Sequence, residues 1–235
     1  MKNFSNTYIF IFSIIMVVIV AVLLSMAAIE LKPFQDKNIE VEKKQNILAS
    51  IGIKSTVNDA VELYSRYITD SYVLNNKGEK QEGVDAFTVE LKKELGKPAS
   101  KRLLPVYVGT LENNVKAYVV PLRGQGLWGP IWGYISLQPD MNTVFGTIFD
   151  HQGETPGLGA EISTEWFQRP FIGKKLFSDS TEFVSIKVLK GGAKKDDPHA
   201  VDAISGGTIT SKALQAMLDS CLMQYKPYFI QNRHK

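Results

Sequence analysis

Tyr8 to Ile29 reads YIFIFSIIMVVIVAVLLSMAAI, twenty-two residues without a single charge. Roughly twenty apolar residues cross the hydrocarbon core of a bilayer as a helix, so this run commits the chain to a lipid-spanning segment and leaves the remainder to fold outside it. A cleaved signal peptide is the rival reading, but its apolar stretch runs to about 7–15 residues. Lys2 precedes the run, and Lys32, Lys37, Lys43 and Lys44 follow it. Counted alone, these lysines hold the following domain in the cytoplasm. Glu30, Asp36, Glu40 and Glu42 are interspersed among them, and large domains are exported regardless of local charge. On these residues the side of the membrane stays open.

A chain of 235 residues has room beyond the anchor for one globular domain. The division read from the pattern is an anchor at 1–30, a charged stalk or linker helix at 31–55 and a domain at 56–235. Val57 to Ile68 carries apolar residues near helical spacing and predicts a short helix. Strand-like runs follow at Leu104–Val108, Val115–Leu122, Gly133–Leu137, Val144–Phe149 and Phe183–Leu189. Turn residues at Asn113-Asn114, Pro139-Asp140 and Gly191-Gly192 separate them. Leu214, Met217, Leu218, Cys221, Leu222 and Tyr225 then form one apolar stripe at helical spacing. Thr210 and Ser211 are the cap candidates of that helix, and Pro227 is its predicted end. The fold class is α+β: one transmembrane helix, then a twisted, mostly antiparallel sheet with flanking helices.

Charge and composition remove several function classes. Lysine and arginine number 27 against 24 acidic residues, so no long single-sign field is available to hold nucleic acid. The one cysteine, Cys221, can form neither an internal disulfide nor a four-cysteine metal or iron–sulfur site, and it lies among apolar core positions. His151, His199 and His234 lack metal-ligand spacing, so no metal site is expected. Redox chemistry here requires a borrowed organic cofactor.

Three segments carry chemical signals. Asp202-Ala203-Ile204-Ser205-Gly206-Gly207-Thr208-Ile209-Thr210-Ser211 opens onto the last helix, where glycines allow close approach and helix-terminal amides favour an anion such as phosphate. His151-Gln152-Gly153-Glu154-Thr155-Pro156-Gly157-Leu158-Gly159 reads as a tight turn. Gly124-Gln125-Gly126-Leu127-Trp128-Gly129-Pro130 sets apolar side chains beside glycines, suited to packing a flat ring. Taken singly, the first reads as a capped turn, the second as a hairpin turn and the third as a core loop between strands.

Together and in this order they resemble the FMN-binding domain family. The first resembles that family's D-x-x-(S/T)-G-A-T flavinylation motif, with Gly207 in the alanine position; the second its H-x-E-T-P-G-L-G segment, with one extra residue after the histidine; the third its G-x-G-L-W stretch. The resemblance implies an FMN joined through its phosphate to Thr208 by a flavin transferase. Ser205, Gly206 and Gly207 would form the phosphate loop and Asp202 the transferase's recognition residue, with Glu154, Thr155, Leu158, Gly159 and Trp128 near the ring. The altered spacing leaves His151 without an assigned role.

Within that family the whole arrangement resembles the flavin subunits of sodium-translocating NADH:quinone oxidoreductases, with those of Rnf-type ferredoxin:NAD complexes as the nearest alternative. The resemblance implies an electron relay in a bacterial inner membrane, single-pass, with the domain in the periplasm and other membrane subunits as partners. No G-x-G-x-x-G follows a strand to hold NADH, and no charge sits inside the apolar helix to conduct an ion. A relay that performs no complete reaction alone is the expectation. A flavin-free membrane-tethered binding module is the alternative from another class.

Overall fold

The computed structural model describes residues 5–112, 114–178 and 182–233; Lys2, Asn113 and His234 lie outside them. Helix α1 runs unbroken over Asn6–Ser50, through Pro33. Among the described residues it is the helix long and apolar enough to cross a membrane, with mean hydropathy 3.1 over its most apolar window and no part of that window buried by protein. By contacts the chain forms two compact units, 1–43 and 44–235. The second begins within α1, ahead of the expected boundary at residue 56. The reason is local: Ile47 and Leu48 are fully buried, and Ile51 nearly so. The last turns of α1 are therefore part of the domain core.

The domain is built on a six-stranded sheet. Helix α2 (Ala60–Tyr67) leads into strand β1 (Ile68–Leu74), followed by β2 (Lys80–Gln81) and a short helix α3 (Leu91–Leu95). Strands β3 (Leu104–Thr110), β4 (Lys116–Gln125), β5 (Pro130–Leu137) and β6 (Val144–His151) complete the sheet. The order is β2-β1-β3-β4-β5-β6, and every pair is antiparallel. After helix α4 (Glu165–Gln168), a small parallel pair, β7 (Lys187–Leu189) and β8 (Ala200–Asp202), precedes the long helix α5 (Thr208–Asn232). This is the α+β architecture read from the sequence.

Both faces of the sheet are buried, which is why its central strands read as near-continuous apolar runs. Alternation divides them: Leu104, Val106, Val120, Leu122, Ile131 and Ile135 pack with α5. Tyr107, Ala117, Val119 and Tyr134 pack with Ile47 and Ile51 on the other side. One tyrosine hydroxyl is satisfied on each face, Tyr225 donating to the Pro105 carbonyl at 2.9 Å and Tyr107 to that of Ala86 at 2.9 Å. Cys221 is buried in the α5 layer. Burial pushes its thiol pKa up, against lowering by the Arg123 amide.

Four expectations change. Strand β1 takes Ile68 from the predicted helix, because Thr69, Asp70 and Ser71 face solvent and hide the strand pattern. The expected strand at Phe183–Leu189 shrinks to β7, with Phe183 held in an isolated bridge to Phe177. Helix α5 starts at Thr208, so Thr210 and Ser211 lie inside it rather than capping it. It also continues past Pro227 to Asn232. Proline removes one helical hydrogen bond, but Tyr225, Tyr228 and Phe229 on either side are all buried, and that packing holds the helix together.

The hydroxyls of Tyr72 and Tyr228 meet at 2.5 Å. Burial pushes Tyr228 up to about 12 from its ordinary 10.0, only partly offset by the hydrogen bond from Tyr72. Burial likewise raises Tyr72, Tyr107 and Tyr225. A phenol kept neutral in the folded state gives stability that is complete below the unfolded pKa and is lost as pH rises toward the folded one. Urea unfolding midpoints should therefore fall as pH rises from 10 to 12, and Tyr228→Phe should flatten that fall.

Candidate functional site

The three signature segments, distant in sequence, meet on one carboxylate. Glu154 follows β6 and is only 4% exposed. Its Oε1 accepts the Trp128 amide at 2.9 Å, and its Oε2 accepts the hydroxyl of Thr210, itself 2% exposed. A buried polar oxygen left without a partner costs about 1–3 kcal/mol. One side chain thus ties the loop after β4, the loop after β6 and the first turn of α5.

Two glycines make the room. A Cβ on Gly126 would lie 2.5 Å from Glu154 Oε1, and one on Gly159 would collide with both Thr210 Oγ1 and Glu154 Oε2. Both carboxyl oxygens of Glu154 are thus engaged inside the protein. His151, left without a role by its spacing, accepts the Glu154 amide on Nδ1 at 3.2 Å. The Thr155 carbonyl accepts the Leu158 and Ala160 amides, each at 3.1 Å, which closes the turn. Thr155 itself is exposed.

The turn before α5 is equally constrained. Gly206 has φ +78°, and a Cβ there would meet Leu158 Cδ2 at 2.6 Å. Only glycine suits both the left-handed backbone and the contact. The Gly207 amide donates to the Ile204 carbonyl at 3.1 Å, and the Ile204 amide donates to Ser211 Oγ at 3.1 Å. No side chain caps the start of α5, so its first amides are available to an anion. Thr208, half-buried, stands at that start, and Ser205 is exposed.

The loops that meet at Glu154 and the start of α5 carry apolar side chains of a kind that a folded domain ordinarily covers. Trp128 is 69% exposed, Ile209 56%, Leu127 46% and Leu158 42%. Sequence reading missed Ile209 and the Thr210 hydroxyl, because T-I-T ahead of a helix looks like capping. Asp202 is not part of the Glu154 cluster. It ends β8, is exposed, and accepts the Ala193 amide at 2.6 Å. A cleft of about 340 Å³, walled by Trp166, Phe167 and Pro170, opens beside it.

This end of the domain thus combines a glycine turn, a helix start without a side-chain cap and exposed apolar side chains. The model of the FMN-binding domain family matches residues 126–223, which contain all of it. The C subunit of the Na(+)-translocating NADH-quinone reductase of Vibrio vulnificus (strain YJ016) is 32% identical over 231 residues, covering 91% of this chain and 90% of that protein. Its counterpart in Neisseria meningitidis serogroup A is 33% identical over 229 residues, covering 91% and 87%. The crystal structure of the same reductase's C subunit from Parabacteroides distasonis superposes with a TM-score of 0.78 at 43% identity, covering 85% of this chain and 96% of that one. The chain belongs to the family of Na(+)-translocating NADH-quinone reductase C subunits.

The backbone at Gly207 leaves little room for a side chain. A Cβ there would lie 2.9 Å from Ile204 Cγ2 and 3.2 Å from the Leu158 carbonyl, so the branched Ile204 fills the space an alanine needs. Gly207→Ala should cost about 1–3 kcal/mol by overpacking. In a double-mutant cycle with Ile204→Ala the combined loss should fall short of the sum by about 1 kcal/mol. Urea unfolding of the four proteins measures it.

Proposed function

We propose that this domain carries one FMN, esterified through its phosphate to Thr208 Oγ1, and serves as an electron relay of a membrane-bound sodium-translocating NADH:quinone oxidoreductase. The observation that carries the reading is the placement of Thr208 at an uncapped helix start, behind a glycine turn too tight for side chains. A phosphate set there meets backbone amides and the positive end of the helix. Matches over about nine-tenths of both chains to C subunits of this enzyme favour that complex over an Rnf-type one.

Bound there, FMN would supply reversible electron transfer that no side chain of this chain can. The protein's part is to hold and orient it. Ser205, Gly206 and Gly207 form the phosphate loop. Trp128, Leu158 and Ile209 offer the exposed apolar surface against which a ring can lie, with Thr155 and Gly159 in the same loop as Leu158. Glu154 acts from inside, fixing the loops that bear those residues.

Attachment needs a donor with an activated phosphate, since joining FMN itself to an alcohol expels water. A flavin dinucleotide meets that need. Thr208 Oγ1 gains the bond to phosphorus and gives up its proton, while the pyrophosphate bond breaks and the nucleoside monophosphate leaves with the electron pair. A flavin transferase performs this step, and Asp202, exposed at the end of β8, serves its recognition. Helix α1 anchors the chain in the bacterial inner membrane with the domain in the periplasm. There a covalent bond keeps a cofactor that could not be replaced once lost. Other membrane subunits are its donor and acceptor.

Full-length protein produced with a flavin transferase should give a fluorescent band on a denaturing gel, and Thr208→Ala should give a dark one. A dark wild-type band would favour a flavin-free binding module, and a fluorescent Thr208→Ala band would move the attachment elsewhere.

A further inference from the structure

We propose that the Thr210 hydroxyl is a positioning group that sets the rotational register of α5 and so turns Thr208 toward its modifying enzyme. This rests on the attachment at Thr208 proposed above. Successive residues of a helix are about 100° apart, so Thr208 and Thr210 lie about 200° apart around α5. With Thr210 facing inward and 2% exposed, Thr208 is carried to the other side. It is half-buried there, next to Ile209 at 56% exposure. Rotating the helix to free Thr210 would bury Thr208.

Two bonds hold that register. The Thr210 hydroxyl donates to Glu154 Oε2, and the adjacent Ser211 hydroxyl accepts the Ile204 amide at 3.1 Å, which fixes the turn entering the helix. The first of these needs a hydroxyl rather than a branched side chain of the same volume. A valine would fill the space but strand an oxygen of a carboxylate that is 4% exposed. Such an oxygen regains a partner only if the helix start or the loop shifts. The neighbouring glycines leave no slack, because an added methyl on Gly159 would strike the same two oxygens.

The test is steady-state modification of full-length, detergent-solubilised apo-protein by a purified flavin transferase with flavin adenine dinucleotide, followed by FMN incorporated into protein. Misplacing a reacting atom by an ångström can cost a hundredfold in rate, so Thr210→Val should lower kcat at least about tenfold. KM for the apo-protein should stay within about twofold, the pattern of lost orientation rather than lost docking. Thr210→Ser, which keeps the hydroxyl, should recover kcat to within about twofold. Thr210→Ala, which removes the same hydroxyl without adding bulk, covers the case in which Thr210→Val does not fold, and it should show the same loss of kcat at an unchanged KM. A folded Thr210→Val or Thr210→Ala modified at the wild-type rate, or a Thr210→Ser as slow as either, overturns the positioning role alone. Wild-type protein that takes up no FMN at Thr208 overturns the attachment itself, and this role with it.

Discussion

One buried carboxylate organises the functional end of this domain. Glu154 accepts an amide from the loop after β4 and a hydroxyl from the start of α5, and its own amide is held by His151. Each of those loops is short of core packing, with Leu127, Trp128, Leu158 and Ile209 all substantially exposed. What fixes them is therefore polar. Buried carboxyl oxygens need hydrogen-bond partners, and those partners fix the loops around Thr208. The rigid support beneath is the sheet, whose two buried faces and long α5 leave the strand ends little freedom.

This division of labour fits a cofactor platform. Apolar side chains that would otherwise be buried are left outside, held by backbone amides and glycine contacts rather than by their own packing. Gly126 and Gly159 matter because the carboxylate occupies the space their side chains would take, and Gly206 because the chain turns there with positive φ against Leu158. The anion site proposed above is the uncapped start of α5, whose partial positive charge comes from the backbone.

Much of the fold was legible because its signals are local. The apolar run in α1 and the stripe from Leu214 to Tyr225 are periodic and need no tertiary knowledge. The strands of the sheet announced themselves by apolar runs, since both faces are covered. Strand β1 did not, because Thr69, Asp70 and Ser71 point to solvent and its pairing with β3 is non-local. Pro227 misled for the same reason: a local breaker is overridden by burial of Tyr228 and Phe229. At the site, each motif could be read singly. Their convergence could not, because a carboxylate and its hydroxyl partner 56 residues away leave no mark of proximity in one sequence. Thr210 was accordingly read as a cap.

The central claim is a phosphoester on the side-chain oxygen of Thr208, and fragment mass spectrometry of the tryptic peptide spanning residues 196–212 addresses it most directly. Protein matured with its transferase should yield that peptide heavier by one FMN less one water, with the added mass confined to fragments that contain Thr208. The same mass on Ser205 or Thr210, or an unmodified peptide from a fully matured and folded preparation, would contradict it.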